Sequence, residues 1–380
     1  MRRLLSQQVP FAERDGASVP SASIDNRQRR GQSRSAGASA DENPCAKAGS
    51  DEAVTACRAA TEPWERGRAA ASAGDLDRAV AEFDAAIGAD PTFAAAFEGR
   101  GVVYRRQHKL DQAVADLSEA IQLNPGKATA FSDRGRVYHE MRDLDRAQAD
   151  YDRAIALDPK QPNGWYGRAM VHYTRREPDA AIAAFNEALA LDPHNAVGYA
   201  NRAEAYYDKG EIDRAIADYD EALRLNPRYL AALNNRGHMH QEKRDYDAAI
   251  FDYGAIILID PNNLDALHNR AAAYVRKLDL DLAIADCDRA IALDPHDGTA
   301  LVNRASAHAL KRDYFRAIVD YSDAIRINAD DIDALFGRGQ AYEEVADFVH
   351  AAVDYAHLLR LQPNSGEVRE RLERARHPPR

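Results

Sequence analysis

Arg214 to Pro227 reads RAIADYDEALRLNP, residues 146–159 read RAQADYDRAIALDP, and residues 282–295 read LAIADCDRAIALDP. Asp218 and Asp220 flank a tyrosine, an arrangement that in isolation could pass for a pair of acid/base carboxylates. A catalytic pair is needed once, whereas this stretch recurs, so its residues answer a repeated structural demand. Outward from it, prolines stand at Pro91, Pro125, Pro159, Pro193, Pro227, Pro261 and Pro295, each 34 residues after the last. Ala329 holds the next place and Pro363 the one after, so nine units of 34 residues fill residues 60–365.

Other columns keep the period. A small residue recurs at Gly67, Gly101, Gly135, Ala169, Ala203, Gly237, Ala271, Ala305 and Gly339. A ring recurs at Phe83, Tyr151, Phe185, Tyr219, Tyr253, Tyr321 and Tyr355, with Leu117 and Cys287 in the remaining two units. Tyr199, Ala203 and Tyr206, spaced four then three, share one helical face. Asp208 to Glu211 breaks the pattern as a turn, and Ala215, Tyr219 and Ala222 form the stripe of a second helix. Asn226-Pro227 ends it, because proline cannot continue a helix and restrains the residue before it. Each unit is thus expected to be a helix–turn–helix pair, too small to bury its own apolar faces and completed by stacking on its neighbours. An arginine precedes the small residue in every unit, from Arg66 to Arg338, and the second helices carry Asp116, Asp150, Asp218, Asp252, Asp286, Asp320 and Asp354. These predict an arginine–aspartate ladder between paired helices. Asp220 lies about 200° around the helix from Asp218, so the two cannot act on one atom.

Trp165, Ala169, Ala181, Phe185, Ala188 and Pro193 in one unit, repeated with substitutions in the others, resemble the tetratricopeptide repeat (TPR) family. The resemblance covers about four fifths of the chain and implies an all-α, right-handed superhelical solenoid of about nine units with a concave inner groove. The arginine column departs from the apolar residue most members carry there. Residues 1–42, rich in Ser, Ala, Gly, Gln and Arg, are expected to be a disordered tail. Residues 43–59 read as a degenerate N-terminal cap helix, because Ala53, Cys57 and Ala60 copy the spacing of Ala79, Phe83 and Ala86. Residues 366–380 read as a charged C-terminal capping helix with Val368, Leu372 and Ala375 as its apolar positions.

The net charge of −11 argues against a non-specific nucleic-acid binder. No run of about 18 apolar residues occurs, so no membrane insertion is expected. The basic N-terminus lacks a signal-like apolar stretch, which places the chain as written in the cytoplasm, or in the periplasm if start-site choice removed an export signal. Through Ala36 the tail is +4 against −15 for the rest, a charge that suits either contact with acidic lipid or nucleic acid or a plainly solvated leader. Phosphate-loop, metalloprotease, nucleophile-elbow and CxxC motifs do not occur, so no catalytic residue, cofactor or metal is expected. His172, His240 and His308 are 68 residues apart, too scattered to share a metal. His238 and His268 are expected on the groove side of adjacent units, without a cysteine or carboxylate to complete a metal site. Lys209, Lys243, Lys277 and Lys311 end first helices, where a cation suits the dipole. Cys287 is expected as an inert core thiol. Cys45 and Cys57 flank the cap helix; a disulfide in an export compartment and two reduced thiols are both open.

Asn201, Asn235, Asn269 and Asn303 each stand two places before the small column, about 200° around the helix from it, and so point away from the packing face. The family resemblance puts that face in the groove, where asparagine ladders of glycosyltransferase-linked members hold extended peptide backbones. Asparagine offers donors and an acceptor, which matches a backbone amide without reading side chains. The sequence therefore points to a non-enzymatic scaffold that binds an extended segment of a partner protein through these asparagines, with His238 and His268 nearby. The alternative is a substrate-recruiting subunit of a multi-subunit enzyme or an envelope assembly. A grip on a C-terminal carboxylate is disfavoured, because Glu98, Val102, Ser132 and Arg136 occupy the places that would need lysine and asparagine.

Overall fold

The computed structural model describes residues 51–377, with side chains from Arg58 onward. The expectations for the tail, for Cys45 and for the Cys57 side chain lie outside the described residues. All regular structure among the described residues is helical. They fall into two compact bodies, 51–225 and 226–377. The first holds α1 (Asp51–Ala73), α2 (Leu76–Ala89), α3 (Ala94–Arg106), α4 (Leu110–Leu123), α5 (Ala128–Glu140), α6 (Leu144–Leu157), α7 (Pro162–Thr174), α8 (Pro178–Leu191), α9 (Ala196–Asp208) and α10 (Ile212–Leu225). The second holds α11 (Leu230–Glu242), α12 (Tyr246–Ile259), α13 (Leu264–Lys277), α14 (Leu280–Leu293), α15 (Gly298–Leu310), α16 (Tyr314–Ile327), α17 (Ile332–Glu344), α18 (Phe348–Leu361) and α19 (Gly366–Arg376). Nine helix pairs and a terminal helix therefore match the 34-residue period.

Recurrent caps set the boundaries. Asp143, Asp245, Asp313 and Asp347 open second helices by accepting the backbone N–H three residues on at 3.1–3.3 Å, and Asn195, Asn263, Asp297 and Asp331 open first helices the same way at 2.8–2.9 Å. Each satisfies a donor the helix itself cannot. The turn within a unit needs one left-handed residue. Gly74 and Gly210 supply it cheaply, while Leu278, Arg312 and others adopt it with φ near 60–70°.

Paired helices pack in chain order, and within each body a second helix then meets the next unit's first helix. First helices of successive units also touch one another, α5 with α7 and α13 with α15, more than second helices do. This puts the first helices on the inner side within each body. Ala215, Tyr219 and Ala222 are fully buried as their stripe predicts. The small column is a close approach: a Cβ on Gly237 would sit 2.9 Å from Tyr253 Cε1.

The ladder forms in seven units. Arg100, Arg134, Arg202, Arg236, Arg270, Arg304 and Arg338 each grip the aspartate sixteen residues on through Nε and Nη2, at 2.5–3.0 Å. Bidentate charge-assisted bonds of this kind fix orientation as well as energy. Nη1 often takes a further partner on the preceding unit's second helix: Arg100 meets Asp84 at 2.5 Å, Arg202 meets Asn186 at 2.7 Å, and Arg304 meets Asp288 at 2.6 Å. One guanidinium thereby joins three helices. In the fourth unit Ala184 stands at the acid's place, and Arg168 Nε is buried without a partner.

The ends differ in kind. Helix α1 runs unbroken over Asp51–Ala73, so residues 51–59 extend the first unit's first helix and are not a separate cap. Pro63 inside it removes one i→i−4 bond without ending it. At the other end Val368, Leu372 and Ala375 of α19 bury against Tyr355 and Leu358, covering the last unit's apolar face.

Candidate protein-binding face

The inward side of the first helices carries the asparagine column. In the second body Asn235 lies on α11, Asn269 on α13 and Asn303 on α15, all half-buried. Asn269 Nδ2 donates to Asn234 Oδ1 at 3.2 Å, and Asn234 Nδ2 donates to Asn235 Oδ1 at 3.4 Å. Gln241 Nε2 donates to the Asn269 carbonyl at 3.4 Å, while its Oε1 accepts from the Tyr253 hydroxyl at 3.0 Å. The amides of adjacent units are thus held in register by weak bonds to one another. The Asn303 side chain makes no hydrogen bond among the described residues, nor does Asn201 on α9 of the first body. Half-buried amides with unused donors and acceptors are ready to pair with a ligand's backbone.

The column is interrupted for a steric reason. In the second body it ends at Gly337, where a Cβ would lie 2.3 Å from Tyr321 Cζ. In the first body Gly167 precedes Asn201, and a Cβ there would lie 2.0 Å from Tyr151 Cε1. At these places the preceding unit's ring fills the inner face, and a side chain has no room. Where asparagine stands, the tyrosine hydroxyls find polar neighbours: Tyr253 reaches Gln241, and Tyr219 donates to Glu204. Nothing in the bare 34-residue period reveals this exchange of ring for amide.

Two of the nearby residues have structural partners. His268 Nε2 lies 2.5 Å from Asp297 Oδ2, and the other Asp297 oxygen caps α15 by accepting from Ala300 N at 2.9 Å. His268 therefore braces a helix start beside the asparagine column. His238 sets its ring edge-on to Tyr253, with centroids 6.2 Å apart. Among the described residues no three histidine, cysteine or acidic side chains gather as a metal would require. Cys287 is buried, and burial pushes its thiol well above the ordinary range, as an inert core thiol requires.

The first body's inner face is charged further along. Asp133 on α5 takes the place of the asparagines, and burial pushes its carboxyl up to about 6, against the opposing pull of Arg136. Glu98 accepts from Thr129 at 2.5 Å and Arg105 meets Glu140 at 2.5 Å, so this region is occupied by internal pairs. The lysine column, read as helix-end caps, does more: Lys209 reaches Asp179 and Lys277 reaches Asp247 of the preceding units, each at 2.8 Å. The thirty-residue offset of those partners was available in the sequence but is masked by the stronger stripe pattern.

Family models described as tetratricopeptide repeat match residues 65–128, 132–196 and 268–332, and residues 230–263; one described as TPR repeat matches 203–243. The search of curated proteins finds no match. Among solved structures, the C-terminal part of a TPR repeat-containing protein from Cytophaga hutchinsonii is 18% identical, with a TM-score of 0.55 over 63% of this chain and 99% of that one. A tetratricopeptide repeat protein from Parabacteroides merdae is 19% identical, with a TM-score of 0.48 over 66% of this chain and 99% of that one. At these identities the likeness is one of fold.

Proposed function

The chain belongs to the tetratricopeptide repeat family, and on that premise we propose that it is a protein-interaction scaffold whose inner face holds an extended segment of a partner. In the second body the asparagines at 235, 269 and 303 hydrogen-bond the partner's backbone, Asn201 offers the same contact on the first body, and the segment's side chains contribute little to recognition. The observation that carries this reading is the state of the column itself. Adjacent-unit amides are held in register through Asn234, and Asn303 keeps its full capacity. A purely structural polar residue has no reason to recur at that place when glycine or charge serves it elsewhere. Repetition at one amide per unit suits a periodic ligand, and an extended backbone is periodic.

Site-specific photo-crosslinking tests it. A photo-reactive phenylalanine analogue placed at Asn269 should trap a partner protein from the native cell, and the same group at the exposed Glu187 on a second helix should not trap that protein. Equal capture from both places would contradict the reading.

A further inference from the structure

The second body has a feature that the inner face does not explain. Twelve of the fourteen exposed large apolar side chains among the described residues lie in residues 226–377. Four of them stand on α16 and α18, the second helices of two successive units. Phe315 is 76% exposed, Val319 59%, Val349 75% and Val353 62%. Phe315 and Val319, like Val349 and Val353, are four apart and share a helical face.

The chain supplies its own control. The place of Phe315 and Val349 holds aspartate in all seven earlier units, from Asp77 to Asp281 at 34-residue spacing. The place of Val319 and Val353 holds alanine in six of them and Phe251 in the other. The aspartate has a structural task, since Asp179 and Asp247 bridge to lysines of the following units. In the last unit Val345 replaces that lysine, so Phe315 has no cation to meet, yet the exchange leaves it three quarters exposed and does not bury it. Val349 is followed by α19, which carries the capping residues Val368, Leu372 and Ala375. Setting aside the ladder acids, α16 and α18 are also the only second helices whose cations outnumber their acids: Arg316 and Arg326 make exposed pairs with Asp313 and Asp323 at 3.4 and 3.0 Å, of a kind worth little in water, and Arg360 makes no ion pair among the described residues. Apolar surface and reversed charge therefore arrive together, in the same two units of an acidic chain.

We propose that the outer face of α16 and α18 is a second docking surface, which takes an amphipathic helix of a partner protein bearing apolar residues on one face and Asp or Glu beside them. Helix-on-helix recognition of this kind reads anchors at helical spacing, which the four side chains present. The cations at its edge select acidic partners and reject basic ones. A second copy through the same face would set arginine against arginine. An anionic bilayer would be opposed by the chain's net charge of −11. The inference is independent of the inner-face reading.

The test uses the full chain and its Phe315→Asp/Val349→Asp variant. Both substitutions restore the residue found in seven sister units, so the fold should hold and the melting temperature should stay close to that of the parent. The probe is a labelled synthetic amphipathic helix with leucines on one face and glutamates on the other, compared with a sister carrying lysines for glutamates. The glutamate helix should bind the parent, and the variant should bind it about tenfold or more weakly. The lysine helix should bind neither. Equal binding of the two helices, or binding unchanged by the variant, overturns the proposal. So does patch-dependent self-association, or patch-dependent sedimentation with phosphatidylserine vesicles, in the absence of binding to the glutamate helix.

Discussion

Asp286→Ala should loosen the seventh unit severely, and Asp320→Ala should loosen the eighth less. Arg270 donates to Asp286 twice, both bonds at 2.7 Å. The preceding unit has Gly254 where others offer an acceptor, so Asp286 is the only hydrogen-bond partner of Arg270 among the described residues. That pairing pushes the Arg270 guanidinium above its ordinary range, and even without it a guanidinium is too basic to escape by shedding its proton. Removing the acid strands a mostly buried cation, which costs about 3–5 kcal/mol when nothing replaces the partner. The Tyr274 ring 5.9 Å away and residual solvent place the expectation at the low end of that range. Arg304, by contrast, keeps Asp288 at 2.6 Å after Asp320 is lost. Cys287, buried beside Asp286, offers the readout. When opening is fast relative to labelling, its alkylation rate follows the opening equilibrium, and about 3 kcal/mol corresponds to roughly a hundredfold. Rates are normalised to the same variant in urea, and the Cys287 peptide is followed by mass spectrometry. The double exchange Arg270→Met/Asp286→Leu, which removes both charges, should return close to the parent. Acceleration below about threefold in Asp286→Ala would refute the ladder as the device that closes each pair. Equal destabilisation in the two single variants, each read by hydrogen exchange in its own unit, would refute the role of the second acceptor.

Ala184→Asp should complete the ladder at Arg168, whose Nε is buried without a partner, and raise protection of α7 and α8 in hydrogen exchange by about tenfold. Lower protection would show that the site cannot admit a carboxylate. Asp133→Asn should stabilise the protein at pH 7.5, because burial raises the folded carboxyl to about 6, above an unfolded value of about 3.9. Its favourable contribution is complete below the unfolded value and lost as pH rises through about 6, so the variant's advantage should shrink across that window and vanish near pH 4. Urea melts of parent and variant across pH measure it, and an advantage independent of pH would contradict the assignment. Cys45 and Cys57 should form a disulfide if the protein is exported, which intact mass before and after reduction decides on protein from its native compartment. Three free thiols there would count against both the bond and export.

The fold was legible because a solenoid writes each structural demand nine times. The ring at Tyr219, the small residue at Gly237 and the Arg270–Asp286 pair each repeat with the period, and chance agreement is excluded by the number of copies. Features that depend on neighbouring units were harder to read. The second partner of Arg304 is Asp288 on the preceding helix, a residue that looks like free surface within its own unit. The asparagine column was visible, but its limits were not, since Gly167 and Gly337 are glycine for the sake of Tyr151 and Tyr321 in the units before them. The contact of His268 with Asp297 was equally hard to read, because Asp297 stands at the far end of the repeat. The N-terminal boundary fell after residue 59 because Ala53, Cys57 and Ala60 copy the spacing of a second helix, whereas α1 runs on from Asp51 to Ala73.

The most direct test is the affinity of the partner retained by the intact array, measured against the quadruple variant Asn201→Ala/Asn235→Ala/Asn269→Ala/Asn303→Ala. Each change removes hydrogen bonds worth about 0.5–1.5 kcal/mol, so the four together should weaken binding by about 2–6 kcal/mol if the sites add. The melting temperature should barely move, because partly exposed polar substitutions usually change stability by about 0.5 kcal/mol or less. Lost affinity with a folded array is the predicted result. Unchanged affinity in the same folded variant would show that the partner binds elsewhere on the repeats.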